Sequence, residues 1–110
     1  MIKNTLKKIN AKIQKESSVT KQTKTELLSL LSTLEAEITK LSKTHAEHAQ
    51  SITGFIERST HEATRREKNP ELLKLSLAGL TESVKGFEAS HPQLVKVINN
   101  ICTVLANMGV

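Results

Sequence analysis

The chain has 110 residues, enough for one domain, and 37% of them are hydrophobic, a low share for a compact monomer of this size but usual for helices exposed on one side. Two aromatics, Phe55 and Phe87, with no Trp or Tyr, leave little from which to build a base-stacking platform, a cation cage or a broad small-molecule pocket. The net charge of +5 sits at the N-terminus: residues 1–24 carry seven lysines against Glu16, whereas the remainder carries nine basic and ten acidic residues and is nearly balanced.

In chain order, Ile2, Leu6, Ile9 and Ile13 are spaced 4-3-4, which predicts a first amphipathic helix over 1–16 with lysines around a narrow apolar stripe. Ser17 to Thr20 break it. Thr20 is suited to cap a second helix, Thr23 with Glu26 offers a capping box one turn later, and the short loop predicts a hairpin. From Leu27 the ladder continues through Leu31, Leu34, Ile38, Leu41, Ile52 and Phe55, and the two rungs it skips are His45 and His48. Alternating 4 and 3 spacing is the heptad seam of helices that pair along their length. With no proline before Pro70, the second helix is expected over 20–68, roughly 70 Å at about 1.5 Å per residue, with Gly54 as a possible bend. Beyond Ile56 only Ala63 is apolar before Asn69, so that stretch reads as a solvated arm or connector.

Asn69 and Pro70 start a third helix, expected over 70–89, with the stripe Leu73, Leu77, Leu80, Val84 and Phe87. His91 is disfavoured in a helix by Pro92, and Ser90 with Gln93 resembles a capping box, so a sharp turn and a fourth helix over 92–108 follow. Its stripe is Leu94, Ile98, Ile101, Leu105 and Met108, flanked by Val95 and Cys102 on one side and by Val97 and Val104 on the other, too wide a face for one neighbouring helix. Gly109 and Val110 fit a Schellman ending, with the helix and the chain expected to stop together. The fold class expected is all-α: two helical hairpins with one long central helix, packed as in a coiled coil.

Few residues suggest chemistry. His45 and His48 share a helical face, and imidazoles at i and i+3 can bind a metal, but polar rungs on a heptad seam more often set register or mark where a partner helix ends, which is the preferred reading. His61 lies off the seam, and chain reversal accounts for His91. Cys102, beside an apolar stripe, reads as a small hydrophobic side chain, and as the single cysteine it fits a reducing cytosol. Glu35 and Glu37 point apart, and there is no Ser-His-Asp grouping, glycine-rich phosphate loop or multi-cysteine cluster; neither an enzyme nor a cofactor is implied. No run of eighteen apolar residues and no signal-peptide pattern occur, and a cytoplasmic location is expected.

The string Phe87-Glu88-Ala89-Ser90-His91-Pro92, Leu94 two residues later, and the ending Leu105-Ala106-Asn107-Met108-Gly109-Val110 resemble a family of short bacterial proteins known only as a domain of unknown function. The resemblance covers about the last 25 residues, with an N-terminal helical hairpin of the kind that family has. It implies a small cytoplasmic helical protein and no particular activity.

The function expected is therefore that of a non-enzymatic helical homo-oligomer serving interaction or structure. A ladder about 40 Å long from Leu27 to Phe55 outruns the first helix, and the wide face of the fourth helix also needs cover, so a two-fold dimer is expected through Leu27, Leu31, Leu34, Ile38, Leu41, Ile52, Phe55, Leu94, Ile98, Ile101 and Leu105. The alternative is an anionic-surface binder in which Lys3, Lys7, Lys8 and Lys12 contact nucleic acid or acidic lipid. The absence of arginine there weakens base readout, and the absence of bulky aromatics weakens membrane insertion.

Overall fold

A computed structural model describes residues 2–109 as five helices: α1 (Ile2–Lys15), α2 (Lys21–Ser42), α3 (Ala46–Thr64), α4 (Pro70–Ser83) and α5 (Pro92–Met108). The described residues are all-α. Each helix packs on the next in sequence, and α3 touches the other four, most extensively α4. The radius of gyration, 13.0 Å, is what a folded single chain of this length should have, about 13 Å.

Sequence explains most helix starts. The Thr20 hydroxyl accepts from the Thr23 amide at 3.2 Å, and the Asn69 side chain accepts from the Leu72 amide at 3.1 Å with Pro70 behind it. Thr20 being the cap, Thr23 lies inside the first turn and the box with Glu26 does not form. The Lys24 amine reaches the Gln14 carbonyl at 3.0 Å, closing the expected α1–α2 hairpin.

The long central helix is instead two. The chain leaves the helix at Lys43, turns through Thr44 and His45, and starts again at Ala46, with His45 as N-cap at φ −136° and ψ 61°. A continuous helix of roughly 70 Å would exceed the longest dimension of the molecule, 37 Å. Neither proline nor glycine marks the break. Its cause is that residues 42–48 contribute no buried side chain, so helix there gains nothing from packing, whereas a turn lets the apolar stripe of α3 fold back onto α1 and α2. Gly54 is exposed within α3, which continues through it as one helix.

Further expectations give way. Residues 59–64 are not a solvated arm, for Ser59, Thr60, Glu62, Ala63 and Thr64 are all buried. Small side chains let the surrounding helices approach α3. The Thr53 and Thr64 hydroxyls bond back to the Ala49 and Thr60 carbonyls, each at 2.8 Å, and Glu62 is held by Arg65 at 2.9 Å and Arg58 at 3.6 Å. The third helix ends at Ser83, not near residue 89: Val84 leaves helical geometry, and Gly86 at φ +94° reverses the chain so that Phe87 turns into the core.

At the start of α5, His91 is the N-cap and makes no side-chain cap bond, so the box of Ser90 with Gln93 is absent; the Ser90 hydroxyl lies 3.0 Å from His91 Nδ1 instead. Gly109 has φ −85°, so its Schellman ending does not form; the expected Val110 contact lies outside the described residues. A side chain at Gly109 would collide with Leu73, the reason a glycine suits that position.

Candidate interaction surfaces

Ten of the eleven residues expected between two chains are instead the core of one. Leu27, Leu31, Leu34, Ile38, Leu41, Ile52, Leu94, Ile98, Ile101 and Leu105 are all buried. The wide face of α5 is covered by α2, α3 and α4, which together do what a second chain was expected to do. Phe55 is the exception at 38% exposure. Because α3 is a separate helix, its stripe runs Ala49, Ile52, Ile56, Ala63, and Phe55 is turned aside onto Gly79 of α4. A methyl group at Gly79 would stand 2.3 Å from the Phe55 ring, so glycine there is what lets the two helices close.

The two skipped rungs fall at the start of α3, His45 as its N-cap and His48 in its first turn. His45 and His48 are exposed, and with His91 they surround buried Phe87. Their rings stand nearly perpendicular to it, with centroids 5.4, 5.4 and 5.6 Å from its own. His45 and His91 have almost the same backbone geometry, and in each a hydroxyl of the preceding residue lies against Nδ1, Thr44 at 2.8 Å and Ser90 at 3.0 Å. The rings of His45 and His48 are 5.9 Å apart, edge to face. Among the described residues no group of three or more His, Cys or acidic side chains is placed to hold a metal ion. The arrangement joins the α2–α3 turn to the α4–α5 connection, and sequence reading missed it because the two groups of residues are 39 or more positions apart.

Lys3, Lys7, Lys8 and Lys12 of α1 are exposed, while Leu6, Ile9 and Ile13 are buried. Lys8 and Lys12 border a cleft of about 410 Å³ against Gly54, Glu57 and Arg58 of α3, and the Lys12 amine lies 3.2 Å from His61 Nδ1. The apolar stripe of α1 is spent on the core, so this helix can offer charge to an anionic surface and nothing to insert into it.

Cys102 is half-buried against the Thr81 hydroxyl at 3.8 Å, and burial pushes its thiol up, away from the thiolate a nucleophile needs. More open is α4. Leu72 is 41% and Leu75 63% exposed on its outer side, and next to them Pro70, Leu73, Leu77 and Ala106 line an apolar groove of about 490 Å³ with Lys68 and Lys74 at its rim.

Residues 37–110 match the family described as Domain of unknown function (DUF4404). The chain belongs to that family. The match begins near the end of α2 and takes in α3, α4 and α5, so the histidine ring around Phe87 and the open face of α4 lie inside the family domain, whereas α1 and its lysines lie outside the matched residues. The resemblance read at the C-terminus thus extends back to residue 37, and the N-terminal hairpin is for the most part beyond it. No curated protein and no solved structure matches the chain. The domain carries no known activity to this protein. Among the described residues, no helix is long and apolar enough to cross a membrane.

Proposed function

We propose that this DUF4404 protein is a non-enzymatic helical module of the cytoplasm that works by pairing with a second copy of itself. The observation that carries the reading is the outer face of α4, where Leu72 and Leu75 stay exposed in a chain whose own core is complete. Large aliphatic side chains side by side on a surface gain about 1.5–3 kcal/mol each when covered, and a two-fold dimer is the commonest closed way to cover them. The groups of a type used in catalysis have structural explanations: Glu62 is paired with two arginines, Cys102 is packed, and the histidines frame Phe87. An unpaired cysteine supports the cytoplasmic assignment. Solution mass across a concentration series tests the proposal. A mass rising from 12.1 kDa toward twice that value is the expected result, and a constant 12.1 kDa rejects it.

A second reading has its own observation, the exposed row Lys3, Lys7, Lys8 and Lys12, which suits nucleic acid or an acidic lipid surface. Neutralising these four lysines should abolish binding to DNA or anionic vesicles at low salt without altering helicity. Absence of any such binding by the wild-type chain removes this reading.

A further inference from the structure

We infer that the self-association surface is the outer face of α4, which pairs antiparallel with the same helix of a second copy about a two-fold axis at Ala78. This rests on the self-pairing proposed above and adds its geometry. Outside the core stripe of α4 runs a second ladder of exposed residues, Glu71, Leu75, Ala78 and Glu82, spaced 4-3-4, with Lys74 beside Leu75; Lys85 lies past the end of the helix and pairs with Glu82 of its own chain at 3.0 Å. The ladder is the seam of a helix that meets another helix, and α4 uses no neighbour within the chain to cover it. Its charges read negative, positive, negative at Glu71, Lys74 and Glu82.

That order complements itself in one arrangement. With the axis at Ala78, residues equally far before and after position 78 face each other, so Lys74 meets the partner's Glu82. The two-fold repeats the contact, giving two ion pairs around an apolar centre. A parallel pairing would set every charge on its own image, like on like. Sliding the axis back to lie between Ser76 and Leu77 would place Glu71 against the partner's Glu82, again like on like. Ala78 at the axis is small enough for the helices to approach to about 8 Å, the near end of the usual range, and Leu75 on either side of it is the most exposed of the large apolar residues. The opposite-sign pairs choose the partner and the register; Leu75, with Leu72 and Phe55 at the edge, supplies the apolar contact. One short helix pair makes a small interface, so the dimer is weak and weakens further with salt.

The test uses two variants of the full chain, Lys74→Glu and Glu82→Lys. Both side chains are exposed, so both variants should keep the wild-type circular dichroism and melting behaviour. Sedimentation velocity at low salt should show the wild type dimerising, each variant alone monomeric, and their equimolar mixture dimeric again. If both variants still dimerise, pairing occurs through another surface: the inference falls and the self-association proposal stands. Monomeric variants whose mixture stays monomeric overturn the register. A wild type that remains monomeric up to millimolar concentration overturns both inference and proposal and gives the face to a different partner.

Discussion

Two glycines in contact-distance terms are opposites, and they make a paired expectation. Gly54 has nothing within 4 Å of where a Cβ would stand, so Gly54→Ala should stabilise the chain by about 1 kcal/mol through helix propensity alone. Gly79→Ala should instead destabilise by about 1–3 kcal/mol, because the new methyl displaces the Phe55 ring; in a Phe55→Ala background the same substitution should become stabilising. Thermal melts of the four proteins check both signs. Glu62 sets an acid limit. The hydrogen bond from Arg65 holds its carboxylate below the ordinary value of 4.5 against the opposing effect of burial, and Glu16 is lowered likewise by hydrogen bonds from Ser18. With folded-state pKa values below the unfolded ones, these groups stabilise the fold above about pH 4.5, and the contribution is lost as pH falls through the lowered values. Chemical denaturation between neutral pH and pH 3 should therefore show stability falling below about 4.5, with a shallower fall in Glu62→Gln; an identical profile in the variant would show the ion pair to be without effect.

For single elements, the lesson lies in how helices end. Thr20, Asn69 and Pro70 are legible because capping is local chemistry, a side chain within three residues of the amide it serves. The stop at Ser42 and the stop at Ser83 were not legible, since each exists to deliver residues to partners far away in sequence: the first turns α3 inward, the second brings Phe87 to His45 and His48. Phe87 is thus the plug of one end of the bundle, and Phe87→Ala should cost about 3 kcal/mol or more as a large-to-small change at a buried aromatic. Hydrogen exchange should show the loss concentrated at residues 42–48 and 84–92 before α2 and α5 respond. Uniform loss along the chain would mean that Phe87 does not join those two connections. Deleting α1, by contrast, is a poor probe of its lysines, for it would uncover the core that Leu6, Ile9 and Ile13 seal.

At the scale of the molecule, the ladders that suggested two chains close within one. Ile98 and Ile101 are fully buried between helices of the same chain, so replacing either with aspartate should unfold the protein rather than release folded monomers. An unpaired carboxylate there costs several kcal/mol, a large share of the roughly 5–15 kcal/mol that holds a small domain together. Far-UV circular dichroism with sedimentation distinguishes the outcomes: loss of helix is expected, and a helical monomer of 12.1 kDa would put these residues back at an interface between chains.

Sequence alone determined the all-α class, the two terminal hairpins, the apolar faces and the family resemblance, because helix periodicity, caps and turns are set by residues a few positions apart. It could not rank Ser59, Thr60 and Glu62 as buried, since burial depends on helices distant in sequence closing over them: Glu62 finds its partners close by in Arg58 and Arg65, and the Ser59 hydroxyl is buried with none among the described residues. Nor could it say whose helix covers a ladder. A heptad stripe specifies that a helical partner exists, and the same 4-3 spacing from Leu27 to Leu41 is satisfied by a second chain or by a later segment of the same one. The tertiary structure decided for the latter, because an unburied polar stretch at residues 42–48 let the chain turn back at no cost in packing and reach that cover without the entropic penalty of bringing two molecules together.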